Sequence, residues 1–373
     1  MLEKRKSVDC LLVGQTPPPF HGQAIVTGML FDHTWSKVKV SLLRMAYSES
    51  IDSVGRFSLQ KVFHLFYLVY KTWVSALSER PRVLYYLPAS PNKVPVLRDV
   101  IYLSMTRWLF PKLVFHYHAG GLAEYIDQSG WLKPLARLVY SGADVGIELS
   151  ENDFAPSDYF KAKRKVVIPN GLDVPVLHQK KKIFNGRLEV LYVGALVEGK
   201  GISNIVKTAA LMREAGASVH FNVVGDWGDE VYKQQVLGEI EASGLGGMIT
   251  FAGVLTGDAK WEAFSRANCF FFPTHYASES FPLVLIEAMA CGLPIVTTHW
   301  RGIPKLVEGS DAAVLCGIKS PQEYAESLLK FIADEALCSQ MAINAEQFYE
   351  KNYTKQVFLE RMERVLAETA ASS

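Results

Sequence analysis

The chain has 373 residues, 49% of them hydrophobic and 21% charged, with a formal net charge of +1. That length exceeds one core and suits two domains of about 150–200 residues, and the composition excludes a disordered chain. Five scattered cysteines (10, 269, 291, 316 and 338) argue for reduced, buried thiols in a cytoplasmic setting, against a disulfide framework or a zinc site; no nucleic-acid partner is expected.

In chain order, residues 8–14, 38–43, 82–87, 113–117, 144–147 and 165–168 are short apolar runs bounded by turn residues, with helical stretches between them. No secretory signal precedes them, and the longest apolar run, 62–70, is interrupted by His64 and closed by Lys71, so no bilayer span is expected. The same rhythm restarts at 188–193, 219–224, 249–252, 269–272, 294–298 and 312–315. Short β-rich runs alternating with helices predict α/β architecture with two doubly wound parallel sheets, Rossmann-like in type. Residues 169–186, with two prolines, two glycines and a lysine run, read as the linker, and 353–371 as a long terminal helix. Ligands are expected at the carboxyl ends of the strands.

Charge is unevenly placed. Residues 1–175 carry 21 Lys+Arg against 15 Asp+Glu, the remainder 18 against 23. The basic residues accompany two apolar, aromatic segments, 57–77 and 96–111, which suits a peripheral protein on anionic lipid; the plainer reading packs both helices on the sheet.

The chemistry-bearing segments follow the strands. GQTPPPFHGQA (14–24) stiffens a loop with three prolines, and Gly22 permits close backbone approach before Gln23 starts a helix. HYHAGG (116–121) places His118 at a strand end, with His116 on the same face as its rival. In VGALVEGKG (193–201), Gly194 ends a strand, glycines 199 and 201 let the backbone come close, and Lys200 offers a point charge to a diphosphate. Gly225 and Gly253 end later strands, either as ordinary strand-end glycines or as close-approach positions. In PTHYASESFPLVLIEAMACGLPIVTT (273–298), a loop holds Glu279, Pro282 opens a helix at its first position, and Glu287 follows on that helix. The helix leaves free N–H groups around Leu283, a ready anion site; the bland alternative is an ordinary crossover with two solvated glutamates. No Asp-x-Asp occurs and no His/Cys cluster has metal spacing.

These segments, IPNGLD (168–173) and FAGVLTGD (251–258) among them, resemble in order the E-x7-E family of retaining glycosyltransferases, family 4, over almost the whole chain. The resemblance implies the GT-B fold: an acceptor-binding domain over 1–175 rejoined by a returning helix at 354–373, and a donor-binding domain over 176–353. It implies transfer from a UDP- or GDP-sugar to a lipid-linked or polysaccharide acceptor in surface-polysaccharide or lipopolysaccharide biosynthesis, on the cytoplasmic face of the inner membrane, with no metal or other cofactor. It gives Glu287 the ribose, Glu279 and His118 the transferred sugar, and Lys200 the diphosphate. It gives the turn at Phe281, Pro282 and Leu283 sugar hydroxyls or phosphate, with Gly194, Gly225 and Val254 around the nucleotide. By the same resemblance Gly22 touches both the donor diphosphate and the acceptor, and His21 and His118 fall on the acceptor side. Where the family has a phosphate-binding Arg this chain has Ala195. The alternatives are a nucleotide-sugar epimerase or hydrolase of the same fold and a non-catalytic sugar-nucleotide binding protein; a dinucleotide oxidoreductase is disfavoured because no G-x-G-x-x-G follows either opening strand.

Overall fold

Apolar residues that run without alternation are buried on both faces of a sheet, and several inner strands of this chain are of that kind. The computed structural model describes residues 8–18, 22–45, 59–151, 154–175 and 186–372. The chain divides into two units, Met1–Gly171 with Lys355–Ser373, and Leu172–Thr354.

The first unit holds β1 (Cys10–Gly14), β2 (Val40–Arg44), β3 (Val83–Tyr86), β4 (Lys112–Tyr117), β5 (Val145–Glu148) and β6 (Arg164–Val167), all parallel, in the order β2-β1-β3-β4-β5-β6. Between them run α1 (Gly22–Asp32), α2 (Leu59–Ser78), α3 (Lys93–Thr106), α4 (Leu122–Gln128), α5 (Leu132–Tyr140) and α6 (Pro156–Tyr159). Asp99 on α3 is wholly buried and organises the aromatic core: it accepts from the Tyr86 hydroxyl at 2.7 Å, the Tyr140 hydroxyl at 2.8 Å and the Ala89 N–H at 2.7 Å, with the Arg98 guanidinium at 2.7 Å. A buried carboxylate persists because each donor offsets its desolvation. On α2 one stripe packs inward (Leu65, Leu68, Val69, and Thr72, whose hydroxyl meets that of Tyr102 at 2.7 Å). Much of its remaining apolar surface is exposed: Phe63 is 76% and Leu77 65% exposed, with Phe66, Tyr67, Tyr70 and Trp73 beside them.

The second unit holds β7 (Leu188–Val193), β8 (Val219–Val224), β9 (Ile249–Gly253), β10 (Cys269–Phe272), β11 (Ile295–Thr298) and β12 (Ala313–Cys316), again parallel, in the order β12-β11-β10-β7-β8-β9. Its helices are α7 (Ile202–Glu214), α8 (Glu230–Ala242), α9 (Gly257–Arg266), α10 (Leu283–Ala290), α11 (Ile303–Val307), α12 (Pro321–Ala333) and α13 (Glu335–Asn352). β7 and β10 are neighbours although three strands apart in the chain, so the winding direction reverses between them. The cysteines form no disulfide, and only Cys338 escapes full burial.

The chain then re-enters the first unit as α14 (Lys355–Ala371), burying Phe358, Met362 and Leu366. Glu363 on this helix caps the backbone N–H groups of Ser36 and Lys37, the latter at 2.7 Å, and Glu368 pairs with Arg164 at 2.9 Å. Where the chain enters and leaves the second unit, Leu172 N–H donates to Tyr353 O at 2.9 Å.

Candidate functional site

A reversal of winding opens a crevice at the carboxyl ends of the two strands flanking it, where open α/β sheets bind ligands. In the second unit those strands are β7 and β10, and most of the predicted donor-side residues sit on the segments that follow them. After β7 the chain makes a tight turn over Glu198–Lys200 and enters α7 through Gly201, at φ +84°. A Cβ there would lie 2.1 Å from the Pro273 carbonyl oxygen, so the turn can rest on the β10 loop only as glycine. Gly225, at φ +153°, is constrained alike: a Cβ would stand 1.8 Å from the Gly194 oxygen. Glu198–Lys200 form a single 3₁₀ turn, and the helix begins at Ile202.

That turn delivers Lys200. Its Nζ lies 2.5 Å from Glu279 Oε2 and over the rings of Phe272 and Tyr276, at 5.2 and 5.0 Å. Glu279 is buried, and the same oxygen accepts from Thr274 Oγ1 at 3.0 Å. Two further bonds fix the loop: His275 N–H to Gly199 O at 2.7 Å and Thr298 Oγ1 to Thr274 O at 2.6 Å. The Tyr192 hydroxyl, bonded to Ala195 O at 3.0 Å, is held well above the usual phenol range by burial, with the Glu279 charge adding to it.

Pro282 does not occupy the first helical position that the sequence suggested. It is the N-cap of α10, at φ −68° and ψ 109°, and provides no side-chain cap. The first-turn amides of Leu283 and Val284 therefore lack both an intrahelical acceptor and a capping side chain, at the positive end of the helix dipole. Phe281 is buried with its ring edge-on to Tyr353 at 5.9 Å, which fixes the entry to α10.

Glu287, on the second turn of α10, is 9% exposed. Its Oε1 meets Lys260 Nζ at 2.6 Å, while its Oε2 is buried with no partner. Burial raises its pKa and the Lys260 cation works against that rise. Lys260, on α9, escaped the sequence reading. It lies 27 residues from its partner, and nothing local distinguishes it from a solvated helix lysine. Val254, just beyond β9, is 63% exposed beside the end of that strand, and the Trp227 ring lies tilted against that of Phe251 at 5.0 Å.

In the first unit Gly22 is the exposed first residue of α1, and His21 lies outside the described residues. His118 follows β4 directly and is half-buried, its ring 4.1 Å from that of His116. The two histidines are not equivalent. His116 is wholly buried, bonded through Nδ1 to the Tyr85 hydroxyl at 2.6 Å, and burial holds its pKa well below the usual imidazole value. It is a neutral core group, and His118 is the one at the strand end.

Residues 173–348 match the sequence model of the family described as glycosyl transferases group 1. Among curated relatives, an uncharacterized glycosyltransferase of Methanocaldococcus jannaschii is 24% identical over 59% of this chain and 57% of its own length. An amylovoran biosynthesis glycosyltransferase of Erwinia amylovora is 25% identical over 76% and 74%, and a capsular polysaccharide biosynthesis glycosyltransferase of Staphylococcus aureus 26% over 52% and 49%. The match thus spans from about half to three quarters of those relatives. Sucrose-phosphate synthase from Thermosynechococcus elongatus superposes with a TM-score of 0.71 at 18% identity, covering 98% of this chain and 100% of that one. Anabaena HepE, solved with UDP, superposes at 0.68 and 19% identity, covering 96% and 100%. The fold is GT-B.

Proposed function

From a chain whose second unit is a glycosyl transferases group 1 domain on the GT-B fold, we propose a retaining glycosyltransferase that takes its sugar from a UDP- or GDP-sugar. The acceptor is a lipid-linked or growing polysaccharide of the cell surface, the class in which the Erwinia and Staphylococcus relatives are named. One observation carries the reading: at the reversal point of the sheet Lys200, on the turn after β7, pairs with the buried Glu279, on the loop that leads into the uncapped first turn of α10.

A diphosphate entering there is met by a fixed ammonium and by the amides of Leu283 and Val284. Preorganised donors of this kind are worth roughly 3–4 kcal/mol each when charge develops on a leaving group. Lys200 and the helix end thus do the work that a divalent cation does elsewhere, and the reaction needs no metal. Glu279 orients Lys200 and accepts from sugar hydroxyls, while Glu287 accepts from the ribose. Gly194, Gly225 and Val254 border the nucleoside. The bond from the anomeric carbon to the leaving phosphate oxygen breaks, the acceptor oxygen bonds to that carbon from the same face, and the acceptor proton passes to the leaving phosphate. Gly22 and His118 of the first unit act on the acceptor and the transferred sugar.

The first unit also supports docking on the cytoplasmic face of the inner membrane. On α2, α3, α5 and the 3₁₀ turn Arg107–Leu109 the sole carboxylate is the buried Asp99. Their exposed residues instead include Phe63, Tyr70 and Trp108 among Lys71, Lys93 and Arg137, with Trp131 exposed at the N-cap of α5. Each cation is worth about 1 kcal/mol at an anionic surface. Among the described residues no helix is long and apolar enough to cross a membrane.

A thermal-shift screen over UDP- and GDP-sugars tests the donor assignment. The cognate compound at a hundred times its dissociation constant stabilises by about 2.7 kcal/mol, with EDTA making no difference. Absence of any shift across the set overturns the donor assignment, and loss of the shift in EDTA overturns metal independence.

A further inference from the structure

Glu287 is the acceptor assigned above to the ribose, and its two carboxylate oxygens are unlike each other. Oε1 is tied to Lys260 at 2.6 Å; Oε2 is buried and bonded to nothing. A buried acceptor without a donor costs about 1–3 kcal/mol, a deficit that an incoming hydroxyl removes. Lys260 is itself held, its ammonium lying 5.0 Å from the centre of the Trp261 ring and 6.0 Å from that of Phe264. Its side chain is 23% exposed, so the pair stands at the edge of solvent rather than deep in the core. Lys260 follows β9 by way of Val254 and Glu287 follows β10, so the two segments meet through tertiary structure alone.

We infer that Lys260 is a positioning residue for ribose recognition: it locks one oxygen of Glu287 and thereby presents the other, desolvated, to the ribose diol. This rests on the nucleoside-diphosphate reading and goes beyond it, because it assigns selectivity for ribose hydroxyls to a residue that need not touch the ligand. A free carboxylate on the same helix would rotate and hydrate. One pinned by an ammonium has a single orientation and keeps an unmet acceptor, which a ligand without hydroxyls leaves unmet. A lysine with a purely structural role would stabilise α9 against α10 and leave hydroxyl selectivity untouched.

The test is calorimetric titration of wild-type, Lys260→Met and Lys260→Arg chains with UDP and GDP and with their 2′,3′-dideoxy counterparts. In the wild-type chain the preference for the ribose form is expected to be about tenfold or more. Lys260→Met brings it to within about threefold of unity by weakening the ribose form while the dideoxy form binds as before. Lys260→Arg, which keeps the cation, retains most of the preference. Should Lys260→Met not fold, Lys260→Gln carries the same expectation. Undiminished preference in a folded neutral variant, or equal weakening of both forms, overturns the inference and leaves the donor reading standing. A wild-type chain that binds none of the four compounds overturns both.

Discussion

At the carboxyl edge of the second unit's sheet two carboxylates are buried against lysines, Glu279 on Lys200 and Glu287 on Lys260. The first unit buries carboxylates of its own differently. Asp99 collects two tyrosine hydroxyls, a backbone N–H and the neighbouring Arg98, and Glu148 accepts from both the Ser157 hydroxyl, at 2.5 Å, and its N–H, at 2.8 Å. The contrast separates structure from function. Asp99 and its two tyrosine donors are wholly buried and serve the core, while Arg98 reaches the surface. Lys200 and Glu279 lie on a turn and a loop at the strand reversal, Lys260 on the first turn of α9 and Glu287 on the second turn of α10, where under the donor reading a ligand can join them. Under the donor reading proposed above, the two sheets use buried charge for opposite ends.

Three experiments sharpen or break that contrast. Lys200→Ala has the largest expected effect, because it removes the diphosphate's cation and leaves Glu279 as an unpaired buried charge facing an anion. Nucleoside-diphosphate affinity by calorimetry is expected to fall about 100-fold or more; an unchanged dissociation constant would sink the assignment of this pair to the donor.

Next comes Glu148. Burial pushes its carboxyl from the ordinary 4.5 up to about 7. The folded chain therefore holds that proton more tightly than the unfolded one. Stability is full at acid pH and declines as pH rises from about 4.5 through 7, by about 3 kcal/mol at 1.36 kcal/mol per unit. Glu148→Gln keeps an acceptor for Ser157 and removes the titration. Urea midpoints at pH 5 and pH 8 should drift apart less in the variant than in the wild-type chain, and equal drift in both would contradict the assignment.

The smallest effect belongs to the exposed face of α2. Replacing Phe63, Tyr70 and Leu77 together by Ser removes side chains that are 76%, 62% and 65% exposed, so thermal stability should hold to within about 1 kcal/mol. Sedimentation with vesicles containing anionic lipid should fall roughly tenfold. Binding as strong as wild type would remove this face from the docking surface.

Much of the fold could be read from the chain because strands buried on both faces appear as unbroken apolar runs. CFFF at 269–272, KLVFHY at 112–117 and LEVLYV at 188–193 are recognisable without any partner in view. The loop glutamate, the helix after Pro282 and the lysine among glycines were local patterns too, hence visible. What escaped was of another kind. Lys260 has no local mark, and its meaning arises from a carboxylate 27 residues away. The histidines at 116 and 118 share one face of a strand, and only the closure of Tyr85 over the first decided which was core. On α2, aromatics cover most of the helix, and only its docking on α3 decided which stripe would be buried.

By itself, the sequence determined two α/β units, twelve strands and the carboxylates around α10, because hydrophobic runs, prolines and glycines act within a few residues of themselves. Tertiary structure alone decided which charges became pairs and which oxygen of Glu287 was left without a donor. Ion pairing and desolvation depend on distances between segments that no local pattern encodes.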